Sequence, residues 1–146
     1  MKIKQLSMFL ENTKGHLKAP CQALAHEGLN ILTLSLADTA QFGILRLLVN
    51  DPDRAQAVLE KAGHVVRVTE VVAIEVENRP GGLAELLEVI EQAELNIEYM
   101  YAFTFGREGK AVMVFRFSDA DAAIEGLKAR NVPVLQSIGL GTPANQ

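Results

Sequence analysis

The chain has 146 residues, 49% of them apolar and 22% charged, which is the balance of a globular protein with a buried core. Its net charge of −4, with no cluster of Lys or Arg, argues against a nucleic-acid partner, because neutralisation of phosphates supplies most of that affinity. No apolar run is long enough for a signal peptide or a membrane span, so no membrane contact is predicted. The single cysteine, Cys21, is typical of a reducing compartment, and we expect a cytoplasmic protein.

The first half of the chain predicts the order strand, helix, strand, strand, helix, strand. Alternating apolar residues predict a strand over 4–11, and a loop with Gly15 leads into a helix. Pro20 lies early in that helix, and because proline has no N–H donor we expect a late or distorted helix start. Asp51 supplies the capping side chain of a second helix. The remaining elements are predicted as strands over 31–37, 44–49 and 65–70, with the second helix ending near Ala62.

The second half predicts the same order. Residues 65–76 contain no turn residue, so the last strand of the first half leads directly into the next strand. A helix follows with an apolar stripe at helical spacing, and Asp119 caps a later helix that ends near Arg130. The remaining elements are predicted as strands over 97–105, 111–117 and 134–137.

The two halves are copies of each other. Shifted by 66 residues, the sequence matches itself without a gap at Glu11, Asn12, Gly15 and Leu17, which fall on Glu77, Asn78, Gly81 and Leu83. After the central hairpin the shift becomes 68, which indicates a second hairpin two residues longer. We therefore predict an α+β protein of two tandem ferredoxin-like βαββαβ copies with antiparallel sheets, over 1–70 and 71–146.

Apolar residues on both faces of the predicted sheets add a further expectation. Helices cover only one face of such a sheet, so we expect a sister copy or a second chain to cover part of the other face. A homodimer is the arrangement expected from this pattern.

The most informative segment is the loop before the helix of the second half, which reads Asn78-Arg79-Pro80-Gly81-Gly82-Leu83, with Asn96 18 positions after Asn78. A loop that runs into a helix N-terminus offers unpaired N–H groups to a carboxylate, and glycines let the backbone approach a ligand closely. An asparagine carbonyl oxygen can accept from an ammonium group. These residue types suit a zwitterion. The alternative is that Asn78, and Asn12 in the first half, cap the helices that follow them while the glycines form tight turns.

This loop, the position of Asn96 and the duplicated βαββαβ order resemble the ACT domain family, and most closely the serine-sensing regulatory domain of phosphoglycerate dehydrogenase. The resemblance covers the whole chain. It implies a small regulatory protein that binds a free amino acid at the interface between the repeats and signals to a partner. The ligand-binding residues that it implies are Asn78, Arg79, Gly81, Gly82, Leu83 and Asn96 in the second repeat and Asn12, Gly15, His16, Leu17 and Asn30 in the first.

Within that family the repeats commonly lie side by side, which implies that Asn30 faces the loop of Asn78 and that Asn96 faces the loop of Asn12. Lys14 stands where the family pattern has proline. We therefore expect the second loop to contribute more to binding than the first.

The sequence also bears on other classes of function. The sequence has no nucleophile with a base at suggestive spacing, and its three histidines are scattered, so no enzyme activity, metal or cofactor is predicted. The alternative to an amino-acid sensor is a ligand-free interaction or regulatory subunit of an enzyme complex. The sequence identifies neither the amino acid nor the partner enzyme.

Overall fold

The computed structural model of the protein describes residues 2–38, 41–103, 106 and 108–136. Its elements follow the predicted order through both halves as far as the last helix, which confirms the duplicated ferredoxin-like plan. They are β1 (Ile3–Glu11), α1 (Lys18–His26), β2 (Ile31–Asp38), β3 (Phe42–Val49), α2 (Pro52–Lys61), β4 (Val66–Glu77), α3 (Gly82–Gln92), β5 (Ile97–Ala102), β6 (Lys110–Phe117) and α4 (Ala120–Ala129).

The strand β4 is both the last strand of the first half and the first strand of the second half, as the absence of a turn residue over 65–76 predicts. In the first half the neighbouring strands are β2-β3-β1-β4, and in the second half they are β4-β6-β5. Within each half the paired strands are antiparallel: β3 pairs with β1 and β2, and β6 pairs with β4 and β5. The described residues divide into two compact units within β4. The first unit spans residues 4–69, and the second spans residues 2–3 and those from 70 onward.

The core of the first unit lies between one face of its strands and the helices α1 and α2. The register pairs Leu6 with Leu47 and Met8 with Leu45, and since side chains alternate along a strand these residues share one face. The buried cluster consists of Leu6, Met8, Leu10, Leu24, Leu29, Leu45, Leu47, Val49, Ala55, Leu59 and Val66.

The core of the second unit has the same plan with larger side chains. The register pairs Val72 with Phe115 and Ile74 with Met113 on the face that meets α3 and α4. The rings of Phe115 and Phe117 stack with their centroids 5.4 Å apart. The buried cluster consists of Val72, Ile74, Val76, Leu86, Ile90, Phe115, Phe117, Ala120, Ala123, Ile124 and Leu127.

The other face of the strands in the second unit is also apolar. Ala73 and Val114 pair in the register one position from the core residues, so they lie on the opposite face, and both are fully buried. In the first unit, Phe9 lies on the face opposite its core and is 66% exposed. The expectation of apolar residues on both faces is confirmed, while the homodimer stays a prediction.

The second helix of each unit begins and ends where the sequence predicts. The Asp51 side chain accepts from the Arg54 N–H at 3.2 Å, and the Asp119 side chain accepts from the Ala122 N–H at 3.0 Å. The helices end at Lys61 and Ala129, one residue before the predicted limits. Each carboxylate therefore satisfies one of the unpaired donors that a helix N-terminus leaves.

The predicted end of the second half differs from the structure. Over 134–136 the structure forms a single bridge between Val134 and Ile74, next to a hydrogen bond from the Leu135 N–H to the Ala73 carbonyl, rather than a strand. Pro133 precedes this bridge and has no N–H to donate to a ladder. Residue 137, and residues 104 and 105 of the predicted strand over 97–105, lie outside the described residues.

Candidate functional site

The loop between β4 and α3, residues 77–83, is called the second loop. The Asn78 N–H donates to the Gly109 carbonyl at 3.0 Å, which ties the start of the loop to the hairpin before β6. The Arg79 N–H donates to the Glu77 carbonyl and the Gly82 N–H to the Arg79 carbonyl, each at 3.0 Å. These hydrogen bonds give the loop a defined tight turn.

Both glycines of the second loop are required by this backbone. Gly81 has a φ of +86°, a left-handed conformation that glycine adopts at little cost, and it is the N-cap of α3. At Gly82 the limit is space: a Cβ there would lie 2.1 Å from the Glu77 carbonyl oxygen. Any other residue at position 82 would force the backbone to move.

The N-terminus of α3 offers free donors. Gly81 has no side chain to cap the helix, and no side-chain cap is formed. Among the described residues the N–H groups of Leu83 and Ala84 have no acceptor, whereas the next N–H, of Glu85, bonds to the Gly81 carbonyl. Two adjacent unpaired N–H groups at the positive end of a helix dipole can bind a carboxylate.

Asn78 does not cap the helix. Its side chain is exposed, and it makes no hydrogen bond within the described part of the chain. The capping interpretation is therefore wrong for Asn78, because Gly81 occupies the N-cap position of α3, and also for Asn12, because Leu17 occupies that of α1. The Asn78 amide keeps both its donor and its acceptor available to a ligand.

Charged residues of the second loop are paired. The Lys110 ammonium donates to the Glu77 carboxylate, and this hydrogen bond holds the Glu77 pKa below its usual value of 4.5. The Arg79 guanidinium lies 2.6 Å from the Glu85 carboxylate, which raises the Arg79 pKa. Sequence reasoning missed Lys110 and Glu85, although the β4–β6 register places Lys110 opposite Glu77.

The loop between β1 and α1, residues 11–17, is called the first loop, and its backbone repeats that of the second. The Asn12 N–H donates to the Gln41 carbonyl at 3.2 Å, and the Thr13 N–H to the Glu11 carbonyl at 2.9 Å. Gly15, equivalent to Gly81, has a φ of +83°. The same turn therefore forms twice.

Side chains fill the first loop differently. His16 stands at the position of Gly82, is half-buried and forms a hydrogen bond with the Thr13 hydroxyl. The distance between its Nε2 and the Glu11 carboxylate is 3.9 Å. In the second loop, Gly82 lets the backbone pass close to the Glu77 carbonyl. In the first loop, the equivalent residue His16 instead forms a side-chain hydrogen bond with Thr13.

The first helix starts late, as Pro20 predicts. The helix α1 begins at Lys18 after an N-cap at Leu17, whereas the position equivalent to the start of α3 is His16. The Lys18 N–H donates to the Gly15 carbonyl at 3.2 Å, and Pro20 has no N–H. At the start of α1 the N–H groups of Leu17 and Ala19 have no acceptor among the described residues, but they are not adjacent, because the Lys18 N–H between them is bonded.

The two remaining asparagines are each held within their own unit. The Asn96 side-chain amide donates to the Ser118 hydroxyl at 2.9 Å, and the Asn30 N–H donates to the Asn50 side-chain oxygen at 3.1 Å. These bonds fix the chain just before β5 and just before β2. The pairing of Asn30 and Asn96 with the loop of the other repeat stays a prediction.

Two kinds of feature are missing from the part of the chain that the structure describes. No described helix is long and apolar enough to cross a membrane. Over the described ranges, no group of three or more His, Cys, Asp or Glu side chains is placed to hold a metal ion.

Comparisons with known proteins give a family match and several structural matches. A family model described as an ACT domain pair matches residues 1–140. A solved structure of a protein from Bacteroides thetaiotaomicron is 42% identical in sequence, with a TM-score of 0.86 and coverage of 92% of each chain. No curated protein matches the sequence.

Two more distant structures share the fold. The ligand-free regulatory subunit of aspartate kinase from Thermus thermophilus is 16% identical, with a TM-score of 0.61, and the match covers 86% of this chain and 91% of that one. Aspartokinase III of E. coli, in complex with lysine and aspartate, is 18% identical, with a TM-score of 0.53. That match covers 88% of this chain and 30% of the enzyme. At such identities the likeness shows the fold alone.

Proposed function

The chain belongs to the ACT domain family as an ACT domain pair, and we propose that it is a regulatory protein that binds a free L-amino acid and signals to a partner. The observation that carries this proposal is the second loop. Its backbone forms a glycine-dependent turn that leaves the Leu83 and Ala84 N–H groups without acceptors and the Asn78 side chain unbonded among the described residues.

The chemistry of these groups supports an amino acid rather than a simple anion. The ligand carboxylate accepts from the two free N–H groups, where the helix dipole favours negative charge. The ligand ammonium donates to a neutral oxygen, such as the Asn78 amide oxygen. Because an asparagine is uncharged, the empty site needs no counter-ion.

The proposed set of binding residues follows the family resemblance. It consists of Asn78, Arg79, Gly81, Gly82, Leu83, Asn96, Asn12, Gly15, His16, Leu17 and Asn30. We also retain, as proposals, the repeat limits of 1–70 and 71–146, a binding site between the repeats, a homodimer and a partner enzyme that receives the signal.

A thermal-shift screen against the proteinogenic L-amino acids tests the function. An amino acid present at about 100 times its dissociation constant stabilises the folded state by about 2.7 kcal/mol. For a chain of this size we expect the melting temperature to rise by roughly 5–10 °C. Calorimetric titration of the amino acid with the largest shift then gives its affinity.

The matched control is the amide derivative of the same amino acid, which keeps the side chain and the ammonium but lacks the carboxylate. We expect it to give no shift, because the free N–H groups then meet a neutral group. If no amino acid changes the melting temperature at millimolar concentration, the sensor proposal is wrong. The chain would then be a ligand-free interaction or regulatory subunit.

A further inference from the structure

Arg79 and Glu85 lie on the two sides of the turn that carries the free N–H groups. The Arg79 Nη2 donates to the Glu85 carboxylate at 2.6 Å, and its Nη1 donates to the Pro80 carbonyl at 3.2 Å. Both terminal nitrogens of the guanidinium therefore contact the protein itself. The side chain is folded onto its own loop, with Nη1 close to Gly81.

The position of Glu85 creates a conflict at a carboxylate site. Glu85 lies in the first turn of α3, next to the N–H groups of Leu83 and Ala84 in sequence. A helix N-terminus favours any nearby negative charge, so an unpaired Glu85 carboxylate would occupy the same favourable potential as a ligand. It would also repel the carboxylate of that ligand.

The first loop provides an internal comparison. Its positions equivalent to Arg79 and Glu85 are Thr13 and Ala19, and neither carries a charge. The cation and the anion thus occur together in the loop that offers two adjacent free donors, and both are missing from the loop whose free donors, at Leu17 and Ala19, are separated by a bonded N–H. The charged pair of Arg79 and Glu85 is therefore specific to the second loop.

We propose that Arg79 is a positioning residue that acts through Glu85, and that it does not contact the ligand. It holds and neutralises the Glu85 carboxylate, which keeps the Leu83 and Ala84 N–H groups available to a ligand carboxylate. This inference rests on the proposed function, and it changes the role that the family resemblance gives Arg79 from binding to positioning.

A pair of variants separates this role from direct binding. We expect Arg79→Met to weaken the affinity for the amino acid with the largest thermal shift by roughly two- to fivefold at low ionic strength. Adding Glu85→Gln to that variant removes the unpaired carboxylate and should restore the wild-type affinity. If Arg79 contacts the ligand or only braces the loop, the double variant stays as weak as Arg79→Met, and the proposal is overturned.

The chain offers a matched control at Arg54, whose guanidinium lies 3.3 Å from the Glu27 carboxylate in the first unit. Arg79 and Arg54 are similarly exposed, at 49% and 52% of their side chains. Arg54→Met changes the net charge by the same amount, and we expect the affinity to stay at the wild-type value. An equal loss in both variants would assign the effect to net charge and overturn the proposal.

A second readout needs no ligand. Hydroxide-catalysed exchange of an amide proton slows near a negative charge, so solvent-exchange NMR reports the electrostatic environment of Leu83 and Ala84. We expect exchange at both residues to be roughly two- to fivefold slower in Arg79→Met and to return to the wild-type rate in the double variant. Equal rates in all three proteins would contradict the proposal even if no amino acid binds, an outcome that by itself refutes only the proposed function.

Discussion

The first and second loops show how one backbone turn can lead into two different helix starts. Both loops place a glycine with positive φ three residues after an asparagine, and both tie that asparagine to the neighbouring hairpin. They differ at the next position, which is His16 in the first loop and Gly82 in the second. His16 bonds within its own loop, whereas Gly82 allows the chain to pass close to the Glu77 carbonyl.

The helix after each loop starts differently, because of this difference and because of Pro20 in the first repeat. With glycine, the helix α3 begins at once and leaves two N–H groups without acceptors among the described residues. With histidine, α1 begins two residues later in the repeat, and Pro20 removes a donor from its first turn. The two loops share a backbone turn, and their side chains decide whether the free N–H groups after it are adjacent.

The largest effect is expected at the position where the loops diverge. Gly82→Ala places a Cβ against the Glu77 carbonyl, so we expect a loss of stability of about 1–3 kcal/mol together with the loss of measurable amino-acid binding. His16→Ala at the equivalent position removes only an exposed contact and should change stability by less than about 0.5 kcal/mol. Urea unfolding of both variants measures the difference.

Gly126→Ala is the control that measures the effect of replacing a glycine by alanine where no close approach to the backbone exists among the described residues. Its Cβ would lie 3.5 Å from the Ala93 side chain, an ordinary contact, within α4. We expect a gain of about 0.5–1 kcal/mol, because alanine restricts the unfolded chain and suits a helix. A destabilised Gly126→Ala would remove the argument that close approach alone makes Gly82 sensitive.

The second comparison concerns the asparagines. Under the proposed function, Asn78→Ala removes a hydrogen bond to the ligand ammonium; such a bond contributes about 1.5–3 kcal/mol, so we expect a tenfold or larger loss of affinity. Asn12→Ala should cost less, because the free N–H groups beside it, at Leu17 and Ala19, are not adjacent. Calorimetric titration ranks the two. If Asn12→Ala proves the more damaging, the ranking of the loops is wrong although the function is right.

The helix caps should behave alike in the two units. Asp51→Ala and Asp119→Ala each remove one carboxylate that accepts from a backbone N–H of the first turn. We expect each to cost about 1 kcal/mol in the free energy of unfolding. Substitution by Asn, which keeps the acceptor, serves as the control. Strongly unequal costs would show that the repeats differ beyond their loops.

The smallest effect is a pH dependence confined to the second loop. Glu77 pairs with Lys110, whereas Glu11 has Phe42 at the equivalent register position. Since Lys110 lowers the folded-state pKa of Glu77 below 4.5, the pair stabilises the fold above pH 4.5 and loses this contribution as the pH falls through the folded-state pKa.

Urea midpoints measured from about pH 3 to 7 test this dependence. Lys110→Met should be less stable than the wild type only at the higher pH values, and the two proteins should converge in acid. Lys14→Met is the control, because it removes an exposed lysine from the first loop and leaves the Glu77–Lys110 pair in place. A constant difference between the wild type and Lys110→Met at all pH values would contradict the assigned cause.

The sequence alone determined the duplicated architecture and most element limits. Period-2 and period-3.6 patterns, the caps at Asp51 and Asp119 and the late helix start at Pro20 all depend on neighbours in the chain, so they are readable without coordinates. The candidate loop was found in the same way, because its asparagine, glycines and helix start lie within six residues.

Tertiary structure decided which contacts the residues of the second loop make. The need for glycine at position 82 comes from the Glu77 carbonyl, and the pairing of Glu77 comes from Lys110 across the β4–β6 register. Whether Asn78 caps a helix or stays available depended on which residue took the N-cap position. Such contacts depend on distances that composition and spacing do not contain, since a residue's hydrogen-bond partner is chosen among all the groups that folding brings near it.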